Sequence, residues 1–317
     1  MKGKHTIKVS NRRVHFTLEL ERNITVIRGD SATGKSTLVG LLRDYEELGS
    51  SSGVTLSSTK PCRVLNSVDW QLRLEKIRNS FVFIDEGNAF VSSQDFARAI
   101  HGTSNYYIIV TRESLYQLPY SVDAVLELKN TTRKTKTYNR SYPYYKSVDK
   151  TEARLNAVDR ILTEDSNSGH QMFEHIAAVR GKHCDSAEGK SNIFRCLLSS
   201  GERSLVVADG AAFGAEMDKI HQLLKNHPEK IMLYLPESFE WLILKSGIID
   251  SEEVRNILAN PSDFIKAEEY MSWEQFFTAL LVKLTAERDY MRYNKQHLTH
   301  FYFNEENVRK IIEAMGR

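Results

Sequence analysis

Residues 29–37 read GDSATGKST, and this segment restricts the fold of the chain more than any other. It has the form G-x-x-x-x-G-K-[ST], and the apolar residues Ile24, Val26 and Ile27 lead directly into it. These apolar residues predict a buried strand, the glycines permit a tight turn, and residues 36–42 predict a helix that begins where the turn ends. We therefore expect a strand–loop–helix unit in an α/β fold.

A loop of this kind can hold phosphate groups, because its backbone N–H groups and the positive end of the following helix face the same space. In this interpretation Lys35 reaches the β- and γ-phosphates, Ser36 binds Mg²⁺ and Thr37 contacts the α-phosphate. The predicted nucleotide-binding residues are Gly29, Asp30, Ser31, Ala32, Thr33, Gly34, Lys35, Ser36 and Thr37. The alternative is a chance glycine loop.

A second motif lies fifty residues after Lys35, where the apolar run FVFI at 81–84 is followed by Asp85 and Glu86. This arrangement resembles the Walker B motif of P-loop ATPases that carry a catalytic glutamate. The resemblance implies that Asp85 holds Mg²⁺, usually through water, and that Glu86 positions or deprotonates the attacking water. The alternative is a strand that simply ends in an acidic turn.

A third apolar run, YYIIV at 106–110, ends at Thr111 and Arg112. In such ATPases the strand beside Walker B often ends in a polar residue that senses the γ-phosphate, so the resemblance implies this role for Thr111. Arg112 could stabilise transition-state charge. A surface ion pair is the alternative for Arg112.

The start of the chain indicates which P-loop proteins are similar. Apolar residues alternate before the glycine loop and predict an antiparallel pair with a turn at residues 10–12. This layout resembles ABC, SMC and OLD-like ATPases (OLD, overcoming lysogenization defect), with AAA-like ATPases as the other candidate family. An ABC ATPase also carries an LSGGQ-type signature between its Walker motifs, and this chain has none there.

The length of 317 residues suits two domains, predicted at residues 1–148 and 152–317. No apolar run approaches the roughly 20 residues that cross a bilayer, so we expect no membrane partner. Three scattered cysteines fit a reducing compartment, which predicts a cytoplasmic protein.

Charge is distributed unevenly along the chain. Residues 1–150 carry 23 Lys and Arg against 15 Asp and Glu, whereas residues 151–317 carry 20 against 26. A hairpin is predicted from strand 124–128, a turn at 130–132 and a second arm at 134–145. In and beside that arm cations alternate with tyrosines, among them Arg133, Lys136, Tyr138, Arg140 and Tyr142. The mixture suits nucleic acid, but an edge strand protected by lysines would look the same.

In the second half each predicted strand is followed by a carboxylate. Glu164 follows residues 160–163, Asp209 follows residues 205–208, and Glu237 and Glu240 follow residues 230–235. Ligand sites of α/β sheets lie at these carboxyl ends. The four side chains could supply oxygen ligands for Mg²⁺ or Mn²⁺.

This order resembles the Toprim domain of topoisomerases, primases and OLD-family nucleases over about residues 155–245. Glu164 matches the glutamate after the first strand, and Asp209 and Gly214 match the D and G of D-x-D-x-x-G. Ala211 stands where the second aspartate belongs. The resemblance implies that Glu164 and Asp209 are catalytic and bind metal, and the absent aspartate puts the second ion in doubt.

The predicted architecture is therefore a P-loop sheet with flanking helices, followed by a smaller Toprim-like α/β domain with a helical tail. Three functions follow from it. The first is an ATPase whose nucleotide state controls a nuclease of a phage-defence or mobile-element kind. The second is an ATP-switched binding protein with a degenerate Toprim-like domain, and the third is a small-molecule kinase. By analogy with other P-loop ATPases we expect a homo-oligomer, with a nucleic acid or a protein as partner.

Overall fold

A computed structural model describes residues 1–30, 33–66, 68–145 and 155–316. Contacts divide the chain into two units, Met1–Lys146 with Asn260–Ser272, and Ser147–Ala259 with Trp273–Arg317. The predicted domain limits, 148 and 152, lie outside the described residues.

One segment belongs to a different unit than the sequence suggested. Asn260–Ser272 was expected in the second domain but clusters with the first unit. Its contacts explain this, because the Gly3 N–H donates to the Ser262 carbonyl at 2.6 Å and the Ala267 N–H donates to the Met1 carbonyl at 2.9 Å. The N-terminal ammonium of Met1 also forms an ion pair with Glu268.

The described residues of the first unit form a nine-stranded sheet in the order β4-β1-β2-β9-β8-β3-β7-β6-β5. The strands are β1 (His5–Ser10), β2 (Val14–Leu20), β3 (Ile24–Arg28), β4 (Thr55–Ser57), β5 (Cys62–Val64), β6 (Phe81–Ile84), β7 (Tyr106–Val110), β8 (Val125–Arg133) and β9 (Lys136–Pro143). From β8 to β5 neighbouring strands are parallel. The pairs β1–β2, β1–β4 and β8–β9 are antiparallel, and β2–β9 is parallel. The helices are α1 (Lys35–Leu48), α2 (Trp70–Leu74) and α3 (Gln94–Ile100).

Burial follows the sequence patterns closely. Every residue of β3, β6 and β7 is buried, as expected for parallel strands that are covered on both faces. The predicted antiparallel pair β1–β2 alternates between buried and more exposed positions. Its turn is closed by Asn11, whose side-chain oxygen accepts the N–H groups of Arg13 and Val14 at 2.8 and 2.9 Å.

The predicted β8–β9 hairpin is present, but its turn is displaced. Strand β8 continues through Thr131 and Thr132, which are β-branched residues that favour strands. The turn falls at Lys134 and Thr135, where Lys134 takes the left-handed conformation with φ 55°. The edge-strand interpretation of this arm is wrong, because β9 lies between β2 and β8.

The described residues of the second unit form a four-stranded parallel sheet in the order β11-β10-β12-β13. Its strands are β10 (Arg160–Thr163), β11 (His183–Ser186), β12 (Ser204–Val207) and β13 (Ile231–Tyr234). The helices are α4 (Ser168–Val179), α5 (Ile193–Ser199), α6 (Met217–Asn226), α7 (Phe239–Lys245), α8 (Glu252–Ala259), α9 (Trp273–Thr285) and α10 (Glu305–Met315). After β10 the chain forms β11 on one side of β10 and then crosses to form β12 on the other side of β10. The gap between β10 and β12 is therefore a topological switch point, where α/β folds bind ligands.

The predicted α/β class, with a large sheet followed by a smaller one with helices, is confirmed. Among the helices of the described residues, none has the length and apolar character needed to cross a bilayer.

Gly210 provides a test of the second sheet. A Cβ atom at this position would lie 2.6 Å from the Leu235 carbonyl oxygen and 2.9 Å from that of Pro236, and both are backbone atoms. We expect Gly210→Ala to lower the free energy of unfolding by about 1–3 kcal/mol, because the β13 connection must move. Gly201→Ala is the control, since nothing lies within 4 Å of its Cβ position. Urea denaturation midpoints compare the two, and equal midpoints would contradict the close approach.

Candidate functional site

The three predicted motifs of the first unit lie at one edge of the sheet. Strand β7 pairs with β3 on one side and with β6 on the other, all in parallel. The register aligns Val110 with Ile27, and Ile109 with Ile84. The Thr111 N–H donates to the Ile27 carbonyl at 3.3 Å. The carboxyl ends of the three strands, and the polar residues that follow them, are therefore neighbours.

The glycines of the loop are required by its conformation. Gly29 and Gly34 have φ values of 121° and 87°, which L-residues with a Cβ rarely adopt. A Cβ on Gly34 would also lie 3.3 Å from the Phe16 ring. Ser31 and Ala32, which were predicted to contact nucleotide, lie outside the described residues.

The side chain of Lys35 directs its ammonium group into the loop that precedes α1. The Nζ atom donates to the carbonyls of Gly29 and Asp30 at 2.7 and 2.6 Å, and to Thr33 Oγ1 at 3.1 Å. Burial, followed by the Arg112 guanidinium, lowers the pKa of Lys35, while the carboxylates of Glu86 and Asp30 oppose this shift. The candidate catalytic charges therefore share one electrostatic environment.

The N-terminus of α1 faces the loop as predicted for an anion site. The helix follows Gly34, and within the described residues no side chain caps it. The N–H groups of its first turn have no partner inside the helix, and they carry its partial positive charge. Ser36 and Thr37 are exposed there, so both hydroxyls are accessible to a ligand.

Glu86 and Arg112 form an ion pair, with Arg112 Nε 3.0 Å from Glu86 Oε1. Asp85 is partly buried, and its Oδ1 accepts the Glu86 N–H at 2.9 Å. Thr111 is buried, and its hydroxyl oxygen accepts the Glu113 N–H at 3.0 Å. The structure thus shows the surface ion pair considered for Arg112, and its partner is the predicted catalytic glutamate.

In the second unit Glu164 and Asp209 meet at the switch point between β10 and β12. The Asp209 N–H donates to Glu164 Oε2 at 3.2 Å, and Asp209 Oδ1 accepts the Phe239 N–H at 3.2 Å. A cavity of about 40 Å³ opens beside them, and its lining also includes Glu240 and Lys295. The structure therefore brings together three of the four predicted carboxylates.

The carboxyl groups of Glu164 and Asp209 have raised pKa values. Burial raises the pKa of Glu164 to about 7, although the Asp209 N–H and the Lys190 charge act in the opposite direction. The pKa of Asp209 lies well above its ordinary value, first because of burial and then because of the charges of Glu274, Glu240 and Glu164. Negative charge is therefore unfavourable in this site unless a cation balances it.

Lys295 supplies one such cation and was not predicted from the sequence. Its Nζ donates to Glu274 Oε1 at 2.6 Å. Burial lowers the pKa of Lys295, but the charges of Glu274, Glu240 and Asp209 outweigh burial and raise it. Tyr293 was also missed, and its hydroxyl donates to Glu240 Oε1 at 2.7 Å. No motif signals these contacts, because Lys295 and Tyr293 reach residues that lie 21 and 53 positions earlier in the chain.

The fourth predicted ligand lies elsewhere, since Glu237 is not in the cavity lining. The Ala211 N–H donates to the Glu237 backbone carbonyl at 3.2 Å, and Ala211 is buried. Across the described ranges, no three His, Cys, Asp or Glu side chains are placed to hold one metal ion. The structure thus places Glu164, Asp209 and Glu240 at the cavity but not Glu237.

Comparison with known proteins adds no family to this geometry. No family model matches the chain, and no curated protein sequence matches it at a significant level. Functional inference therefore depends on the residues and their positions.

The raised pKa of Glu164 predicts a pH-dependent stability. Its unfolded-state pKa is near 4.3, so between about pH 4.5 and 7 the folded state binds more protons and stability falls as pH rises. Glu164→Gln cannot ionise. We therefore compare the free energy of unfolding of the variant with that of wild type at two pH values. This difference should be roughly 2–3 kcal/mol more favourable to the variant at pH 8 than at pH 5, at about 1.36 kcal/mol per pKa unit.

Urea denaturation in buffer with EDTA measures this difference. The control is Glu229→Gln, because Glu229 is exposed and should show no such difference. An equal effect of Glu164→Gln at both pH values would contradict a raised pKa of Glu164 in the folded state.

Proposed function

We propose that the first unit binds and hydrolyses ATP. The supporting observation is the pairing of β3, β7 and β6, which places Lys35, Thr111 with Arg112, and Asp85 with Glu86 at a single sheet edge. The start of α1, for which the described residues supply no side-chain cap, and a buried lysine ammonium meet at the same place. This combination suits a polyphosphate with an associated cation.

Each residue has a role that its position allows. Lys35 and the N–H groups at the start of α1 would bind the phosphates. Mg²⁺ would be held by Ser36 and Asp85, and it would neutralise part of the phosphate charge. Glu86 would orient water and accept its proton once Arg112 exchanges its carboxylate partner for a phosphate oxygen. Thr111, between the two motif-bearing strands, would contact the γ-phosphate.

The first test separates binding from turnover. Lys35→Ala should abolish Mg²⁺–ATP binding, because the loop loses its cation. Glu86→Gln should keep binding within a few-fold and lower turnover by a factor on the order of 10²–10⁴, the usual contribution of a general base. Calorimetry measures binding, and phosphate release measures turnover.

Lys60→Ala is the matched control, since Lys60 is exposed and outside the loop. Absence of Mg²⁺-dependent ATP binding by wild type would refute the proposal. A small-molecule kinase differs in one respect: it would release ADP at an appreciable rate only when an acceptor is present. Steady ATP hydrolysis without an acceptor therefore excludes that alternative.

For the second unit some observations favour a metal-dependent nuclease and others favour a degenerate binding domain. The Glu164–Asp209 contact at the switch point favours a metal-dependent nuclease. Lys295, the position of Glu237 and Ala211 at the missing aspartate favour a degenerate domain. Because Lys295 already supplies positive charge to the carboxylates, we propose the degenerate form, acting in ATP-controlled binding of a partner. The nuclease is its competitor in the next test.

The variant Ala211→Asp distinguishes these functions. Ala211 is buried beside Asp209, so a new carboxylate should lower the melting temperature in EDTA. If the domain is degenerate, Mn²⁺ does not restore the melting temperature of Ala211→Asp. Wild type then shows no thermal shift with Mn²⁺ and no cleavage of DNA or RNA, with or without ATP. In a nuclease Mn²⁺ raises the melting temperatures of wild type and of Ala211→Asp. At a Mn²⁺ concentration of 100 times Kd, binding adds about 2.7 kcal/mol to the free energy of unfolding.

Ala211→Asn is the matched control, because it has nearly the same size without the charge. Recovery of Ala211→Asp but not Ala211→Asn in Mn²⁺ would overturn the degenerate assignment.

The remaining features of the proposal concern surroundings and partners. A cytoplasmic location is supported by the three cysteines, all of which are free thiols. Assembly into a homo-oligomer is proposed by analogy with other P-loop ATPases, and light scattering with and without ATP tests it.

A further inference from the structure

Two turns rich in cations lie together at one end of the first sheet. The β1–β2 turn at residues 11–13 and the β8–β9 turn at residues 134–135 are neighbours, because β2 and β9 run in parallel from them. The Thr137 N–H donates to the Arg13 carbonyl at 2.8 Å. The exposed cations of these turns and their flanks are Arg12, Arg13, Arg133, Lys134 and Lys136. Residues 8–18 and 128–145 contain no Asp or Glu.

From this end a polar and aromatic surface extends along the sheet. Cross-strand register places its side chains on one face, and we call it the tyrosine face: Lys8, His15, Lys129, Arg133, Lys136, Tyr138, Arg140 and Tyr142. Tyr138 and Tyr142 are 41% and 44% exposed. The opposite face, with Phe16, Leu18 and Leu128, is buried in the core.

The rings of the tyrosine face are held in contact with neighbouring groups. Tyr138 stacks on His15 with ring centres 4.8 Å apart and planes 11° apart. The Lys129 Nζ lies 5.6 Å from the centre of the Tyr142 ring. Two carboxylates also lie on this face, and each has a cation partner: Glu19 pairs with Lys4 and Glu127 with Lys129. The face therefore keeps a surplus of positive charge.

Protection of an edge strand does not explain this charge. Lysines protect exposed edge strands from aggregation, but β9 is an interior strand. Arg133 lies directly opposite Lys136, whereas Lys129, which lies opposite Arg140, has Glu127 as its ion-pair partner. Like charges in such pairs destabilise a sheet. An anionic ligand would remove the repulsion.

We propose that the tyrosine face binds single-stranded nucleic acid, with phosphates on its cations and bases stacked on Tyr138 and Tyr142. Aromatic rings between cations are what sequence-independent single-strand binding requires. Residues at i and i+2 on β9 are about 6.8 Å apart, so ring and cation alternate along an extended strand. A duplex keeps its bases stacked inside, out of reach of rings that lie on the face of a sheet. The proposal does not depend on ATP binding.

Salt-dependent binding tests the cations. Fluorescence anisotropy of the full chain with labelled oligo-dT, oligo-rU and a duplex, at 50–200 mM salt, gives affinity and its salt slope. We expect Arg133→Ala/Lys136→Ala to bind more weakly and to flatten the slope by about 0.7 for each phosphate that the variant no longer neutralises. The control Arg73→Ala/Lys76→Ala removes two exposed cations near α2 and changes net charge equally, so it should bind like wild type.

A second pair of variants tests the rings. Tyr138→Leu and Tyr142→Leu keep apolar bulk, so melting temperatures should change little. Each should weaken single-strand binding roughly 5- to 150-fold, the usual effect for a base that no longer stacks, with the salt slope unchanged. The dT and rU oligomers show whether DNA or RNA is preferred.

Three results would overturn the proposal. They are absence of oligonucleotide binding by wild type at 50 mM salt, charge variants that bind like their control, and duplex binding as tight as single-strand binding with the tyrosine variants unaffected. Lys35→Ala should bind oligonucleotide like wild type, which separates failure of this proposal from failure of ATP binding.

Discussion

The hydrogen-bonded ladder that joins β3 to β7 and β7 to β6 is the constraint on which the first unit depends. A shift of one residue in this ladder would turn Arg28 and Thr111 towards the opposite faces, so the register decides where both side chains emerge. With this register, the glycine loop at residues 29–37, the Asp85–Glu86 pair and the Thr111–Arg112 pair emerge at the same edge. The distance between Arg112 and Glu86 is a direct result. No single motif creates this site, because its residues come together only when the three strands end side by side.

The two sheets place polar groups by the same rule but produce opposite electrostatics. At the first edge a lysine ammonium, an arginine and a helix N-terminus face the site, and this favours an anion. At the switch point of the second sheet buried carboxyl groups predominate, and their raised pKa values show that protons or cations are favoured there. Lys295 supplies part of this positive charge from the polypeptide itself. A ligand of the second site would therefore compete with Lys295 or replace a proton.

Local patterns predicted the central strands well, because β3, β6 and β7 are short, continuous apolar runs that end in polar residues. They failed for β5 and β11, which are three and four residues long and lie at sheet edges. The sequence of β11, HCDS, has no apolar run at all. Glu164 and Asp209 were found because each follows a strand, whereas Lys295 and Glu274 reach the same site from the helical tail. Such contacts depend on tertiary packing, so neither spacing nor periodicity within one segment can indicate them. The interior position of β9 was missed for the same reason, since its pairing with β2 spans more than a hundred residues.

Three features that oppose folding coincide with the three proposed sites. The glycine loop at residues 29–37 holds two glycines in the left-handed region, the switch point buries Asp209 among other carboxyl groups, and the β8–β9 hairpin sets Arg133 against Lys136. At the switch point and at the hairpin a neutral side chain would recover stability, because it removes a buried charge or a repulsion. In the loop a side chain with a Cβ would instead add strain, so glycine is retained there. Elsewhere in the described residues of the central strands, pattern, burial and pairing agree. Conflict between local chemistry and the global fold is expected mainly where a ligand supplies the missing interaction. A phosphate for the loop, a proton or cation for the carboxylates and a polyanion for the hairpin would each remove one of these conflicts.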